Sequence, residues 1–351
     1  KIKSRGMTEA QIRQIITSGA FPDGAEKAEL VETHISWVLL TEKYAYKIKK
    51  PVRYSFLDFS TLEKRQHYCR RELELNNRLT SGVYLQVLPV GKGKDGPVIG
   101  REEGEVIDCA LQMKRLDNSR QMNRLLEEGK VTPEDMHKVA RQLAVFHAYT
   151  DIVDEPVNIE EMIDTFGDLA DERDFIGERL GAFAAEKIDE VIGFAGDFLR
   201  DHAGRLQERV KKGFFVDGHG DLHSRNIFLL DEPVIFDCIE FSNSLRRLDV
   251  LNEIAFFCLD LNFYRRRDLE AHFLHHYLRE LPCISGDEDW RLFHYFKLYR
   301  ANVRLKVSTM SAMQAKEAEK RAHRLDQVEE YFQLFKEYYS VLREEERANG
   351  A

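Results

Sequence analysis

The sequence predicts an α+β protein with two lobes, the first mainly of β-strands around one long helix and the second mainly helical. Up to about residue 113, segments rich in β-branched and aromatic residues are separated by turn residues such as Asp95-Gly96. From Thr132 onward, apolar residues recur at spacings of three and four, which is typical of helices packed on one face. We therefore expect an amino-terminal lobe at residues 7–112 and a carboxy-terminal lobe at residues 113–351, with Met7 as the native start.

Local signals predict the elements of the first lobe in order. Thr8-Glu9-Ala10-Gln11 has the form of a capping box and predicts a short helix that ends near Ser18-Gly19. A longer helix is expected over about residues 62 to 79. Strands are predicted within residues 31–40, 44–49, 84–90, 97–100 and 106–113.

Helical periodicity dominates the second lobe. Met136, Val139, Leu143 and Phe146 would share one face of a helix that begins near Thr132. The same periodicity returns over residues 290–307 and along the charged stretch of residues 313–347. We expect that last stretch to form a terminal helix packed on the lobe.

Composition and charge narrow the class of protein. The 351 residues are 43% hydrophobic, enough for a sizeable core, and they contain no apolar run of the roughly 18 to 20 residues that would span a bilayer. The net charge of -9 disfavours non-specific nucleic-acid binding, because that binding depends on neutralising phosphates. The five cysteines form no Cys-x-x-Cys pair and are interpreted as reduced thiols. We expect a cytoplasmic globular protein with neither a nucleic-acid nor a membrane partner.

The most informative motif lies at residues 219–226 and 234–237. Asp221 and Asn226 are five residues apart in His-Gly-Asp-Leu-His-Ser-Arg-Asn, and Asp237 ends an apolar run eleven residues after Asn226. Phosphoryl transfer from Mg-ATP needs a carboxylate that acts on the acceptor hydroxyl, and an amide and a second carboxylate that hold the metal. A single Asp in a loop is usually a turn or cap residue, so it is the set of three that indicates a kinase.

The order of these residues resembles the aminoglycoside phosphotransferase and choline kinase group of small-molecule kinases, which has a protein-kinase-like fold. Gly220 stands where the protein kinase catalytic loop carries Arg. Tyr44-Ala45-Tyr46-Lys47 is similar to the strand that carries the phosphate-pairing Lys, and Arg71-Glu72-Leu73 to the helical segment that supplies its Glu partner. The resemblance covers about residues 30 to 310 and implies a phosphotransferase that uses ATP and Mg²⁺.

The resemblance also implies a role for each site residue. Asp221 would act on the acceptor hydroxyl, Asn226 and Asp237 would hold Mg²⁺, Lys47 would pair with the phosphates of ATP, and Glu72 would fix Lys47. Because Lys47 and Asp237 must both reach one triphosphate, we expect them within about 15 Å of each other.

The resemblance also implies which residues would meet the adenine and which would shape the loop that carries Asp221. The backbone of a hinge from Met113 through Arg115 to Leu116 would meet the adenine. His219 is assigned a structural role in shaping the loop, and Asp249 resembles the Asp that braces the loop.

Several of these assignments leave alternatives open. Lys49 lies two residues after Lys47 and points to the same face of the strand, although the Tyr-Ala-Tyr-Lys setting favours Lys47. Glu72 competes with Glu63 and Glu74 on the same predicted helix.

The loop that should cover the nucleotide departs from the pattern of kinases. It is expected near residues 33–36, where no Gly-x-Gly-x-x-Gly occurs, although glycines normally let the backbone approach the phosphates. The hydroxyl of Ser36 or the ring of His34 would contact the phosphates instead.

Two other functions compete with a small-molecule kinase. A pseudokinase or nucleotide-binding regulatory module would use the fold without chemistry, and the altered nucleotide loop favours it. A metal-dependent hydrolase would use His219, Asp221 and His223, which share one face if they lie on a strand. That function would leave Asn226 and the Lys and Glu pair unexplained.

The acceptor is expected to be a hydroxyl of a small molecule, such as an amino sugar, a sugar or an amino alcohol. Glu240, Glu253 and Asp260 could attract a cationic acceptor or could pair with nearby arginines. Relatives of this kind can carry a fused carboxy-terminal P-loop domain, and no such motif occurs here. The protein therefore either acts alone or is part of a longer chain.

Overall fold

A strand-rich part precedes a helical part along the chain in the computed structural model, which describes residues 6–54 and 57–349. Contacts divide these residues into two compact units. The strand unit comprises the described residues up to Leu125 together with Arg225–Arg246, and the helical unit comprises Leu126–Ser224 with the described residues from Arg247 onward. The predicted α+β class is confirmed.

The helices and strands that the sequence predicts up to residue 113 begin close to their predicted positions, and three short elements, at residues 53–54, 57–58 and 122–127, were not predicted. In chain order the elements up to residue 127 are α1 Glu9–Ser18, β1 Glu29–Glu32, β2 Ser36–Leu40, β3 Tyr44–Lys49, β4 Arg53–Tyr54, β5 Leu57–Asp58, α2 Leu62–Asn76, β6 Tyr84–Lys92, β7 Pro97–Ile99, β8 Val106–Lys114 and α3 Met122–Glu127. Residues 31–40 contain two strands joined by a turn, and α2 ends three residues before the predicted position.

The later elements are mostly helices. They are α4 Pro133–Tyr149, α5 Ile159–Gly167, α6 Arg173–Leu180, α7 Ala182–Asp201, α8 Ala203–Lys211, β9 Phe215–Asp217, β10 Ile227–Phe228, β11 Val234–Ile235, α9 Asn243–Arg246, β12 Arg247–Asp249, α10 Val250–Phe263, α11 Arg267–Glu280, α12 Asp287–Gln314 and α13 Ala318–Asn349. The terminal helix begins at Ala318 because Met313 and Gln314 belong to α12.

The sheet of the strand unit places lysines and apolar residues on opposite faces of β3. Among the described residues the strand order is β1-β2-β3-β8-β6-β7, and every pairing is antiparallel. Tyr46 and Ile48 are fully buried in a cluster that includes Ile12 of α1. Since side chains alternate along a strand, Lys47 and Lys49 lie on the other face.

Helix α2 supplies the partners for that other face. Thr61 caps it by accepting a hydrogen bond from the Lys64 N–H group, so the helix begins at Leu62 as its sequence predicts. Arg65, Cys69 and Glu72 recur at spacings of four and three and are buried. The helix therefore buries a polar stripe against the sheet, and Glu72 is part of it.

The helical unit is built on faces that the sequence predicts. Thr132 forms a capping box with Asp135 at the start of α4, whose predicted apolar face is buried. Helix α4 packs against α11, α10 against α12, and α12 against α13. The short strands β9 and β12 pair in antiparallel register and lead into the loop at residues 218–224 and into α10. Over the described ranges, no helix has both the length and the apolar character needed to cross a bilayer.

A buried ion pair in the helical unit gives a stability prediction. Arg209 donates to both carboxylate oxygens of Asp249, at 2.6 and 2.8 Å, and neither side chain is exposed. Arg209→Met would leave the Asp249 carboxylate buried without this partner, so we expect the free energy of unfolding to fall by about 3–5 kcal/mol. Urea unfolding followed by circular dichroism measures it.

The matched control is Arg173→Met, because the Arg173 pair with Asp189 is largely exposed. It should cost less than about 1 kcal/mol. Equal losses for the two variants would show that burial does not decide the contribution of Arg209.

Candidate active site

Two lysines and three carboxylates form a continuous chain of ion pairs in the strand unit. Lys47 Nζ lies 2.7 Å from Glu72 Oε1 and 2.8 Å from Asp237 Oδ1. Lys49 Nζ lies 2.6 Å from Glu72 Oε2 and also contacts Glu240 Oε1. The order of contacts is therefore Asp237, Lys47, Glu72, Lys49, Glu240. Lys47 and Asp237 are in direct contact, well within the separation of about 15 Å that the sequence analysis expects.

Exposure separates the two lysines. The Asp237 side chain is 44% exposed and that of Lys47 is 13% exposed, whereas Lys49 is 1% exposed and Glu72 is completely buried. The chain of ion pairs thus runs from solvent at Asp237 into the core at Lys49. Of the two lysines, Lys47 is the one that contacts Asp237 at the accessible end.

Glu72 is also distinguished by its burial from the two glutamates that compete with it in the sequence. Glu63 and Glu74 are exposed on α2, and Glu74 pairs with Arg71 at 3.0 Å. Burial by itself would raise the pKa of Glu72, but the charges of Lys47 and Lys49 outweigh it and lower that pKa to about 2. Glu72 is therefore a carboxylate at neutral pH.

Burial and neighbouring charges have opposite effects on the pKa values of the ion-pair chain. Burial lowers the pKa of Lys47, yet the charges of Asp237 and Glu72 outweigh this effect and raise the pKa well above its ordinary value. Burial, with a contribution from Glu72, raises the pKa of Glu240 despite the contact with Lys49. Two ammonium groups face three carboxyl side chains, of which Glu240 is shifted toward its neutral form, so the cluster has no excess positive charge that would oppose a further cation.

Asp237 has an unusual backbone conformation. Its φ of 63° lies in the left-handed region, which costs a residue other than glycine roughly 1 kcal/mol or more. The Asp237 N–H group donates to the Tyr84 hydroxyl at 3.1 Å, and the Cys238 N–H group donates to Asn76 Oδ1 at 2.9 Å. These bonds hold the strained turn that directs the Asp237 carboxylate toward Lys47. The sequence has no signal that identifies Tyr84 in this role.

A hairpin brings Asn226 beside the Asp237 turn. Ile227 and Phe228 pair with Ile235 and Val234, and the Phe236 N–H group donates to the Asn226 carbonyl at 3.0 Å. Asn226 is 6% exposed. The two predicted metal ligands therefore flank the same end of one short antiparallel pair within the strand unit, Asn226 before its first strand and Asp237 after its second.

The predicted hinge lies at the end of β8. Met113 is half-buried in an apolar cluster with Tyr84, Leu116 and Phe236. The N–H groups of residues 114 and 115 donate to backbone carbonyls of residues 83 and 43, so these two donors are already used within the strand unit. The Arg115 guanidinium donates to the Thr41 carbonyl at 2.7 Å. Its side chain thus stabilises the β2–β3 turn.

The turn between β1 and β2 forms without glycine. The Thr33 hydroxyl accepts a hydrogen bond from the Ser36 N–H group at 2.9 Å and so closes the turn, while His34 is exposed. Ser36 pairs with Lys49 across β2 and β3, which puts its side chain on the lysine face. Its hydroxyl oxygen is buried and has no hydrogen-bond partner.

The loop that carries Asp221 is organised by a glutamate of α10. Glu253 accepts hydrogen bonds from the N–H groups of His219, at 2.9 Å, and Gly220, at 2.6 Å, and from His147 Nε2 at 2.7 Å. Asp249 was expected in this role, but it pairs with Arg209 and caps α10 instead. The sequence analysis missed His147 and misread Glu253, because nothing in the sequence relates either residue to residues 219 and 220.

Gly220 and His219 shape the loop around Asp221. Gly220 has a φ of 85°, a conformation that the Arg of protein kinases could not adopt without strain, which accounts for glycine at this position. His219 Nδ1 accepts a hydrogen bond from the Asp221 N–H group at 3.2 Å, in agreement with a structural role for His219.

The Asp221 carboxyl is 41% exposed, and one of its oxygens lies 3.3 Å from His223 Nε2. Burial favours a higher pKa for Asp221, but His223, His219 and Arg304 outweigh burial, and the pKa lies below its ordinary value. Asp221 is therefore a partly exposed and fully ionised carboxylate of the helical unit.

The structure corrects two expectations about nearby residues. Strand β9 ends at Asp217, so residues 219–223 do not share a strand face as the hydrolase hypothesis requires. In the described part of the chain, no group of three or more His, Cys, Asp or Glu side chains forms a metal site. Glu240, Glu253 and Asp260 are buried at 7%, 1% and 7% exposure, so they do not present their charge to an acceptor.

Known proteins resemble this chain in sequence and in fold. No protein-family model matches the chain. Uncharacterized proteins of Mycobacterium tuberculosis and Mycobacterium bovis are each 32% identical over 298 residues, which is 81% of this chain and 55% of each relative. The chain thus spans about half the length of the curated relatives it matches.

Two solved structures share the fold. Choline kinase from Cryptosporidium parvum is 12% identical, with 97% of each chain covered and a TM-score of 0.55. A choline/ethanolamine kinase family protein from Mesorhizobium loti is 12% identical, with 96% of this chain and 99% of that chain covered and a TM-score of 0.50. The chain therefore has the fold of these kinases. This confirms, at the level of the fold, the expected resemblance to the aminoglycoside phosphotransferase and choline kinase group.

Proposed function

We propose that the protein is an ATP- and Mg²⁺-dependent kinase that transfers the γ-phosphate of ATP to a hydroxyl of a small molecule. The observation that carries this proposal is the contact of Lys47 with both Glu72 and Asp237. A lysine fixed by a helical glutamate and placed beside a strand-end aspartate is the arrangement that kinases use to hold a triphosphate and its metal.

The strand unit fits a magnesium nucleotide in three respects. Asp237 is accessible and belongs to a cluster with no excess positive charge, which suits an added cation. The buried hydroxyl of Ser36 has no partner and is a donor available to a phosphate oxygen. The apolar cluster around Met113 and Leu116 is a suitable surface for an adenine.

The residues would divide the work as follows. Asp237 and Asn226 would hold Mg²⁺, which when bound supplies positive charge to the β and γ phosphates. Lys47 would pair with the phosphates while Glu72 keeps it in place. Met113 and Arg115 would contribute backbone atoms near the adenine, and Ser36 would contact the phosphates.

Asp221 would orient the acceptor hydroxyl and receive its proton late in the reaction. A carboxylate with a lowered pKa is a weak base, so its main contribution is to position the hydroxyl through a charged hydrogen bond. A weak base is sufficient for phosphoryl transfer, because the attacking oxygen has formed little of its bond to phosphorus in the transition state.

A nucleotide-binding module without chemistry is the second candidate. The glycine-free turn at residues 33–36 favours it, because glycines normally let the backbone approach the phosphates. The ionised and accessible Asp221 favours the kinase, since a module that only binds nucleotide has no use for it.

The proposed acceptor is an amino alcohol, a sugar or an amino sugar. The fold relative named choline kinase acts on an amino alcohol. Because the buried glutamates of the site do not face an acceptor, we propose no requirement for a cationic acceptor. A screen of hydroxylated metabolites for ATP consumption would identify the class.

The first functional prediction concerns the metal. Asp237→Asn should weaken Mg-ATP binding more than it weakens the binding of metal-free ATP, because the charge that attracts the metal is lost. Asn is preferred to Ala here because it tolerates the left-handed backbone, so charge and strain are separated. Calorimetric titrations with and without Mg²⁺ measure the difference. Asp95→Asn, an exposed turn residue, is the control, and equal losses under both conditions would contradict the metal role.

The second functional prediction concerns the acceptor. Asp221→Asn should preserve nucleotide affinity and lower turnover by about 10² to 10⁴, because Asn can neither make the charged hydrogen bond that positions the hydroxyl nor receive its proton. Turnover is measured as phosphorylated product, or as basal ATP hydrolysis until an acceptor is known. Asp154→Asn, an exposed loop residue of the helical unit, should change neither quantity. Unchanged turnover in Asp221→Asn would remove this residue from the mechanism.

A further inference from the structure

We propose that Lys49 and Glu240 are positioning residues that hold Glu72 and the Asp237 turn in the geometry needed for magnesium and nucleotide binding. This inference rests on the proposed function and adds a second lysine and a third carboxylate to it. Neither residue is proposed to touch the nucleotide. Both act through Glu72 and Asp237.

The first observation is the burial of Lys49. Its side chain is 1% exposed, lies between the carboxylates of Glu72 and Glu240, and places its ammonium 4.7 Å from the centre of the Phe59 ring. Removing a lysine from water is expensive, and a buried ion pair is often no more stabilising than well-packed apolar residues of similar volume. Stability alone therefore gives little reason for a charged pair at this position.

The second observation is the way Glu72 is shared. One of its oxygens accepts from Lys47 and the other from Lys49, so both oxygens are fixed and the carboxylate has one orientation. If Lys47 turns its ammonium toward phosphates, Lys49 still holds Glu72 in place. Glu240 in turn contacts the Lys49 ammonium and so helps to keep it beside Glu72.

The third observation concerns the segment from Asp237 to Glu240. Contacts fix each of its residues in turn. Tyr84 and Asn76 accept from the N–H groups of Asp237 and Cys238, Arg246 donates to the Ile239 carbonyl at 2.8 Å, and Lys49 forms the ion pair with Glu240. Because Asp237 has a strained φ of 63°, loss of the ion pair should let the turn relax and move its carboxylate.

The experiment compares Glu240→Gln, Lys49→Met and the double variant K49M/E240L with the wild type. The quantity measured is the ratio of the ATP dissociation constants without and with Mg²⁺. We expect each single variant to lower this ratio by about tenfold or more, the usual effect of losing a residue that orients a metal ligand. Lys64→Met and Glu74→Gln are matched controls from exposed pairs of α2 and should leave the ratio unchanged.

The double variant separates positioning from stability. Replacing both charges by apolar residues should return the urea midpoint to near that of the wild type, whereas the ratio of ATP dissociation constants should remain low. A double variant that recovers both quantities would overturn the proposal, because it would show that Lys49 and Glu240 act only through stability.

Hydrogen exchange provides a readout that needs no nucleotide. In Glu240→Gln the amides of Asp237 and Cys238 should exchange faster, while amides of α1 keep their rates. Unchanged exchange at these two amides would overturn the positioning role. A wild type that binds no nucleotide would instead overturn the proposed function, and faster exchange in Glu240→Gln would still support the effect on the Asp237 turn.

Discussion

The Glu72 carboxylate, buried and shared by two lysines, is the interaction on which the rest of the strand unit's site depends. It is ionised because Lys47 and Lys49 lower its pKa to about 2 against the effect of burial. It lies where it does because α2 buries a polar stripe at helical spacing against the lysine face of β3. Lys47 therefore has a fixed partner in the core and meets Asp237 at the accessible end.

Each unit uses a buried glutamate to organise a more exposed aspartate to which the proposed function assigns a role. In the strand unit Glu72 fixes the lysine that contacts Asp237. In the helical unit Glu253 accepts two backbone N–H groups of the loop that carries Asp221. A buried carboxylate with several donors is rigid and ionised, so it can hold a neighbouring loop in one conformation.

The sequence was sufficient to predict helices and strands wherever their signals lie in neighbouring residues. The capping box at Thr8, the β-branched and aromatic residues of β3 and the apolar face of α4 predicted real elements. The resemblance selected Lys47, Glu72 and Asp237, which the structure brings into contact. Tyr84 and the loop brace Glu253 were not predicted, because each depends on a contact between residues more than 30 positions apart. The strain at Asp237 likewise has no sequence signal, since aspartate seldom adopts a positive φ.

If Lys47, Glu72 and Asp237 form a nucleotide and metal site, a crystal structure with Mg²⁺ and a non-hydrolysable ATP analogue should show Asp237 and Asn226 bound to the metal. Lys47 should have left Asp237 for the phosphates while keeping its bond to Glu72. A nucleotide bound elsewhere, or a Lys47 that keeps its contact with Asp237 and leaves the phosphates unbound, would contradict this assignment.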